Sequence, residues 1–146
     1  MPTAARLSGA VTFLILAFLA TQAMLPLFPE NAAPRNFLAV NLGAAAIAGW
    51  VTVGSRAGRG YIPAFGLGVT GLSVFLFWML LVHGFDEMLA NAFRKYYDGP
   101  VEALVAMVGE MIDLGTRVLV ADTVVLLFVG SILAALVTEY FGRNYR

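Results

Sequence analysis

The chain predicts an all-α integral membrane protein with four transmembrane helices and an amphipathic helical hairpin between the third and fourth. Three observations predict it. First, charge is excluded from long runs: 23 residues between Arg6 and Glu30, 20 between Arg35 and Arg56, 26 between Arg59 and Asp86, and 16 between Asp122 and Glu139. A hydrocarbon core about 30 Å thick takes roughly 20 apolar residues of helix to cross. Second, 60% of the 146 residues are hydrophobic and 12% charged, against about 25% charged in an average soluble domain; mean hydropathy is +0.84. Third, the displaced charge is gathered in one place. Segment 84–121, with Asp122 just beyond it, holds seven of the nine acids.

The elements follow in order, within a single membrane domain. Span one covers about residues 8–27. Arg6, an apolar run and Ala20-Thr21-Gln22-Ala23 also have the outline of a secretory signal; the expectation is an uncleaved first helix. Pro26, Pro29 and Pro34 then mark a turn, because proline cannot continue a helix. Asn36 is the expected N-cap of span two, about 37–53. A basic glycine-rich loop, 54–60, leads to span three, about 61–83, with Pro63 tolerated in its first turn.

Segment 84–121 is too long for a bare loop. Phe85, Met88, Leu89, Ala92 and Tyr96 recur at helical spacing. After Asp98-Gly99-Pro100, Val101, Leu104, Val105, Val108, Ile112 and Leu119 form one stripe, with Glu102, Glu110, Asp113 and Arg117 opposite. These spacings predict a helical hairpin over about 85–120. Its first half either continues span three or lies on the membrane surface. Asp122 is the expected N-cap of span four, about 123–141, and Glu139 in its last turn is expected to reach the headgroup region.

Charge sets the expected orientation. Arg6, Arg56, Arg59, Arg143 and Arg146 crowd into short segments on one side. Arg35, Arg94, Lys95 and Arg117 are spread over about twice the length on the other. The positive-inside rule puts both termini in the cytoplasm and the acidic hairpin in the periplasm of a bacterial inner membrane. Zero net charge offers nothing to nucleic acid. With no cysteine, disulfides, thiolate metal sites and thiol redox chemistry are excluded.

Candidate sites are few. Gly66-Leu67-Gly68-Val69-Thr70-Gly71 matches the G-x-G-x-x-G string, but that motif needs a preceding strand and an opening helix. Inside an apolar span it reads as a small-residue packing face, as do Gly43, Gly49 and Gly130. Arg56 and Arg59 in the glycine loop form a candidate anion or lipid-headgroup site. Glu102, Glu110, Asp113 and Arg117 form a candidate interaction surface. Glu110 and Asp113 have a spacing open to a hard cation, although Arg117, four residues beyond Asp113, predicts an ion pair instead. His83 is expected as an interfacial polar tip. Away from the span ends, Thr12, Thr21, Gln22, Asn41, Thr70, Ser73, Ser131 and Thr138 are the polar residues. None is ionisable, whereas transport paths are marked by buried charge. Asn41 and Gln22, at similar depth, are expected to bond each other.

Met1-Pro2-Thr3-Ala4-Ala5-Arg6-Leu7, then Gly49-Trp50 with the run from Val53 to Gly60, and Tyr97-Asp98-Gly99-Pro100-Val101-Glu102-Ala103 resemble the TrgA family of the Rhodobacter-group alphaproteobacteria, named for tellurite resistance. The resemblance implies a small membrane protein associated with that resistance and carries over no site residues. Tellurite reduction calls for thiols or a redox cofactor, so an indirect role is expected. The expected protein is non-enzymatic, without cofactor or metal, and acts through the lipid bilayer and contacts with other membrane proteins or further copies of itself. An accessory subunit of a respiratory or photosynthetic complex is the alternative reading, and an oligomeric oxyanion transporter the second.

Overall fold

A computed structural model describes residues 3–30, 32–95 and 97–145. Tyr96 of the hairpin stripe, Arg146 of the charge count, and Met1 and Pro2 lie outside the described residues. Among those described there are five α-helices and no strand. They are α1 (Thr3–Met24), α2 (Phe37–Ile47), α3 (Tyr61–Phe93), α4 (Pro100–Val118) and α5 (Ala121–Asn144). A 3₁₀ turn, Leu25–Leu27, extends α1, and a π-helical stretch, Ala48–Gly54, extends α2. Four continuous segments are long and apolar enough to cross a membrane: Thr3–Leu27, Phe37–Gly54, Tyr61–Phe93 and Ala121–Asn144. This is the all-α four-span architecture the uncharged runs predict.

The helix ends differ from expectation in two places. Asn36 does precede α2, but it sits in the left-handed region at φ 56° and its side chain caps nothing. Asp122 is the second residue of α5 and Val120 is its N-cap. There the carboxylate still meets the positive end of the helix dipole. Pro63 falls in the first turn of α3 and Pro100 opens α4, where a missing N–H breaks no helical bond.

α3 is the longest element, with 33 residues. At 1.5 Å per residue it runs about 50 Å, roughly 20 Å more than a hydrocarbon core needs. The first half of the hairpin is therefore the end of α3. α4 returns antiparallel to it, with Gly115 against Leu80 at 3.7 Å and Gly84 beside Met107 and Met111.

α1 packs against α2 on one side and α5 on the other. Phe13, Leu16, Phe75, Met79 and Leu127 fill the core between them. The helices approach closely where side chains are absent. A Cβ on Gly9 would stand 2.5 Å from the Gly49 carbonyl oxygen, and one on Gly68 would stand 2.7 Å from that of Ser131. A Cβ on Gly71 would meet the Phe13 ring, and one on Gly130 the Leu16 side chain. Gly68 and Gly71 of the glycine string in α3 thus form a packing face. Gly43 and Gly66, expected to serve the same purpose, are exposed, and a Cβ on either would meet nothing within 4 Å.

The amphipathic α4 presents its faces in an unexpected way. Leu114, Gly115 and Val118 are its buried residues. The apolar stripe is not packed: Val101 is 74% exposed and Val105 68%. Carboxylates from both α3 and α4 open on one cavity. The exposed apolar rows, Trp78, Val82 and Phe85 of α3 and Val101, Leu104, Val105 and Val108 of α4, therefore fall on the other side of the antiparallel pair.

Candidate functional site

Polar chemistry is concentrated at the two ends of the bundle. At the hairpin end, α1, α2 and α3 each contribute one buried side chain to a relay. The Thr21 hydroxyl donates to the Ala17 carbonyl at 2.7 Å, which leaves its oxygen free to accept. The Asn41 amide N–H donates to that oxygen at 3.0 Å. Its Oδ1 then faces His83 Nε2 at 3.2 Å. Only a donating Nε2–H completes this pair, so Nε2 carries a proton. Phe37 lies against the ring at a centroid distance of 5.1 Å.

The relay corrects three expectations. Asn41 bonds Thr21 and His83, and Gln22 is exposed. Residues 21 and 22 point about 100° apart on a helix, and only one of them can face α2. His83 is 4% exposed, a buried group and not an interfacial tip. Together with Glu139 it also puts ionisable side chains inside the bundle. Length misled the reading here, because the end of the third uncharged run is not the end of α3.

Above the relay an open cavity of about 360 Å³ lies between the 28–35 turn, α3 and α4. His83 lines it along with Asp86, Glu87, Glu110 and Asp113, and so do Arg35 and Arg117. Arg117 donates to Asp113 at 3.2 Å and its guanidinium lies 5.9 Å from the Phe28 ring centroid. Burial first, and then the neighbouring Glu87 and Asp113 charges, push the Glu110 carboxyl above its ordinary range. Among the described residues His83 Nδ1 has no hydrogen-bond partner, although it is sealed from solvent. No three His, Asp or Glu side chains among the described residues converge closely enough to hold a metal ion.

At the other end, Glu139 of α5 is 1% exposed and does not reach out of the bundle. Its Oε2 accepts from the Gly58 N–H at 2.6 Å and its Oε1 from the Gly60 N–H at 2.5 Å. Gly58 and Gly60 have φ of 93° and 118°, a region that suits residues without a Cβ. The left-handed turns aim both N–H groups at one point and form an anion cradle. Gly142, one turn beyond Glu139, lets α5 lie close on the loop, since a Cβ there would stand 3.1 Å from Gly58 N.

The predicted site residues separate accordingly. The loop of Arg56 and Arg59 is a cradle, but its backbone donors already hold the chain's own carboxylate, and both guanidinium groups are exposed. Of Glu102, Glu110, Asp113 and Arg117, the last three line the one cavity and Glu102 does not. Glu102 accepts from the Asp98 N–H at 2.8 Å and closes the turn into α4. Asp113 and Arg117 pair with each other, and Glu110 shares the cavity wall with Glu87. Of the expected packing residues, Asn41, Gly49 and Gly130 lie between helices, whereas Gly43 and Gly66 do not. The chain matches no family model, no curated protein and no solved structure.

Proposed function

We propose that this is a non-enzymatic protein of a bacterial inner membrane that acts by holding another membrane protein against its own α3. One observation carries the reading. Gly66, Thr70, Ser73, Phe77, Leu80 and Gly84 recur on one face of α3 at helical spacing. α4 covers only the end of that face, at Leu80 and Gly84. The rest is bare: Thr70, Ser73 and Phe77 are exposed and Gly66 meets nothing. The Thr70 and Ser73 hydroxyls bond their own helix, at Gly66 O (2.8 Å) and Val69 O (3.0 Å). They therefore present a small, hydrogen-bond-satisfied surface of the kind along which membrane helices associate.

A connection with tellurite resistance rests on the resemblance to the TrgA family and is indirect, since the chain carries no thiol. The basic loop and both termini face the cytoplasm in this reading, and the hairpin faces the periplasm. Purification of the tagged protein from native membranes in mild detergent tests it. An integral membrane partner at fixed stoichiometry, lost in Gly66→Leu, is expected. If that partner is a cytochrome or reaction-centre complex, the role is that of an accessory subunit. A homogeneous particle of this chain alone refutes the proposal. Orientation is tested separately by labelling Asp98→Cys with an impermeant reagent; access from the cytoplasmic side alone reverses it.

A further inference from the structure

The exposed apolar stripe of α4 has the spacing of a coiled-coil seam. Val101, Val105, Val108 and Ile112 recur at intervals of 4, 3 and 4 residues, the d and a positions of two heptads. At about 100° per residue they fall within an arc of about 60°. All four are between 50% and 74% exposed. α3 takes a different side of α4, through Met107, Met111 and Gly115. The charged side chains of α4, Glu102, Glu110, Asp113 and Arg117, lie about 90° or more from the centre of the stripe. At its edge, Gly109 has open space around it, and the Thr116 hydroxyl donates to its own helix at the Asp113 carbonyl, 2.9 Å away. The seam and its margin are therefore apolar, small and uncharged.

The height of the stripe narrows what covers it. α4 runs back along α3, with Gly115 against Leu80 and with Met107 and Met111 beside Gly84, so Val101 stands level with the last turns of α3. Counted from Tyr61, a hydrocarbon core of about 30 Å is crossed in about 20 residues, and in about 26 at a tilt of about 40°. Both distances end short of the Val101 level. A helix resting on the lipid surface is the other membrane solution, but such helices lie in the interface plane and carry Lys and Arg on the polar face. α4 stands along α3, and its charged side chains are three acids and one arginine. The cover that fits is a protein surface.

We infer that this surface is the α4 stripe of a second copy of the same chain, paired in parallel about a two-fold axis along the membrane normal. Two copies inserted the same way up in one bilayer meet in parallel and at equal height, and a parallel, in-register pair is the geometry that a heptad stripe fits. Val105 then faces its counterpart and Ile112 faces its own, while the acids of both copies point away from the seam, so like charges are kept apart. Two heptads are short for helices that must fold as they associate. α4 is already folded against α3, and a shared bilayer holds the copies at high effective concentration, so a short seam suffices. This surface is separate from the face of α3 at residues 66–77 and does not depend on what binds there.

The chain has no cysteine, so a single introduced cysteine in the full-length protein reports only its own surroundings. In a parallel, in-register pair each seam residue lies opposite itself, within reach of a disulfide. Val101→Cys, Val105→Cys, Val108→Cys and Ile112→Cys, oxidised with copper phenanthroline in native membranes, should each give a linked species of twice the 15.6 kDa chain. Ala106→Cys and Asp113→Cys should link about tenfold less or weaker still, because the helix turns both away from the seam; the Asp113 side chain is 64% exposed, so access does not limit it. Val105 is exposed in the single chain, and Val105→Glu leaves that fold intact while placing two like charges in the seam. In that background the Val108→Cys link should fall about tenfold or more. Equal linking at seam and control positions, no linking at the seam, or a link from the seam to a different protein overturns the inference. So does a Val108→Cys link that survives Val105→Glu.

Discussion

Replacing Glu139 with alanine tests how the termini end of the bundle is held. The carboxylate is 1% exposed and accepts two backbone hydrogen bonds, at 2.6 and 2.5 Å. Hydrogen bonds to charged groups contribute roughly 1.5–3 kcal/mol each, so two give a gross loss of about 3–6 kcal/mol. Two effects reduce it. Alanine no longer carries the desolvation cost of a buried charge, which is several kcal/mol per ion in proteins. The orphaned Gly58 and Gly60 N–H groups also belong to half-exposed residues that water can reach. The net expectation is a loss of about 2–3 kcal/mol. Glu139→Gln should lie between the two, because one amide oxygen can still accept while the NH₂ confronts the other N–H. Equilibrium unfolding in mixed micelles measures the loss. Trypsin reports it independently, since Arg56 precedes the released glycines, Arg59 lies between them, and both are exposed; cleavage there should accelerate. An unfolding free energy within about 0.5 kcal/mol of the parent, with unchanged cleavage, would show that the carboxylate's desolvation cost cancels its bonds and that the loop is held by other contacts.

Asn41→Leu removes both interhelical bonds of the relay at similar volume. Such bonds average about 0.6 kcal/mol in a membrane and reach about 1.7, so a loss of about 1–3 kcal/mol is expected, against no measurable change for the exposed Gln22→Ala. Gly49→Ala drives a methyl into the Gly9 carbonyl; overpacking costs typically about 1–3 kcal/mol, whereas Gly43→Ala, with open space around it, should be neutral or slightly stabilising. Glu110, its carboxyl raised by burial and by Glu87 and Asp113, gives a pH signature. Between its unfolded and its raised folded value the folded protein holds more protons than the unfolded one, so stability falls as pH rises through that window. Melting curves from mildly acidic to neutral pH should show that fall flattened in Glu110→Gln; an unchanged slope would mean that the group is not shifted.

Span number and helix class were legible because excluded charge is a one-dimensional signal. A stretch that must cross hydrocarbon cannot carry many charged groups, whatever it packs against. The hairpin turn was legible at Asp98-Gly99-Pro100 for a similarly local reason. What failed were inferences about which side of a helix meets which neighbour. The apolar stripe of α4 was legible, but the residues the fold buries are Leu114, Gly115 and Val118. A periodic stripe gives the angle of a surface and not its partner. Lipid or another protein suits Val101 and Val105 as well as a core does. The pairing of Asn41 with Gln22 failed on one residue of rotation. Glu139 seemed able to reach the headgroups because it lies in the last turn of its span, and only the glycine loop packed over it keeps it inside.

The sequence by itself determined that this chain has four apolar helices and one charge-rich excursion, since hydrophobicity and charge act on each residue without reference to distant ones. The tertiary structure alone decided what the few polar groups do. Thr21, Asn41 and His83 lie 20 and 42 positions apart, and Glu139 lies 81 from Gly58. Hydrogen bonds reach about 3 Å and are directional. Their partners are therefore set by the depth and rotation of packed helices, quantities that no local pattern of residues encodes.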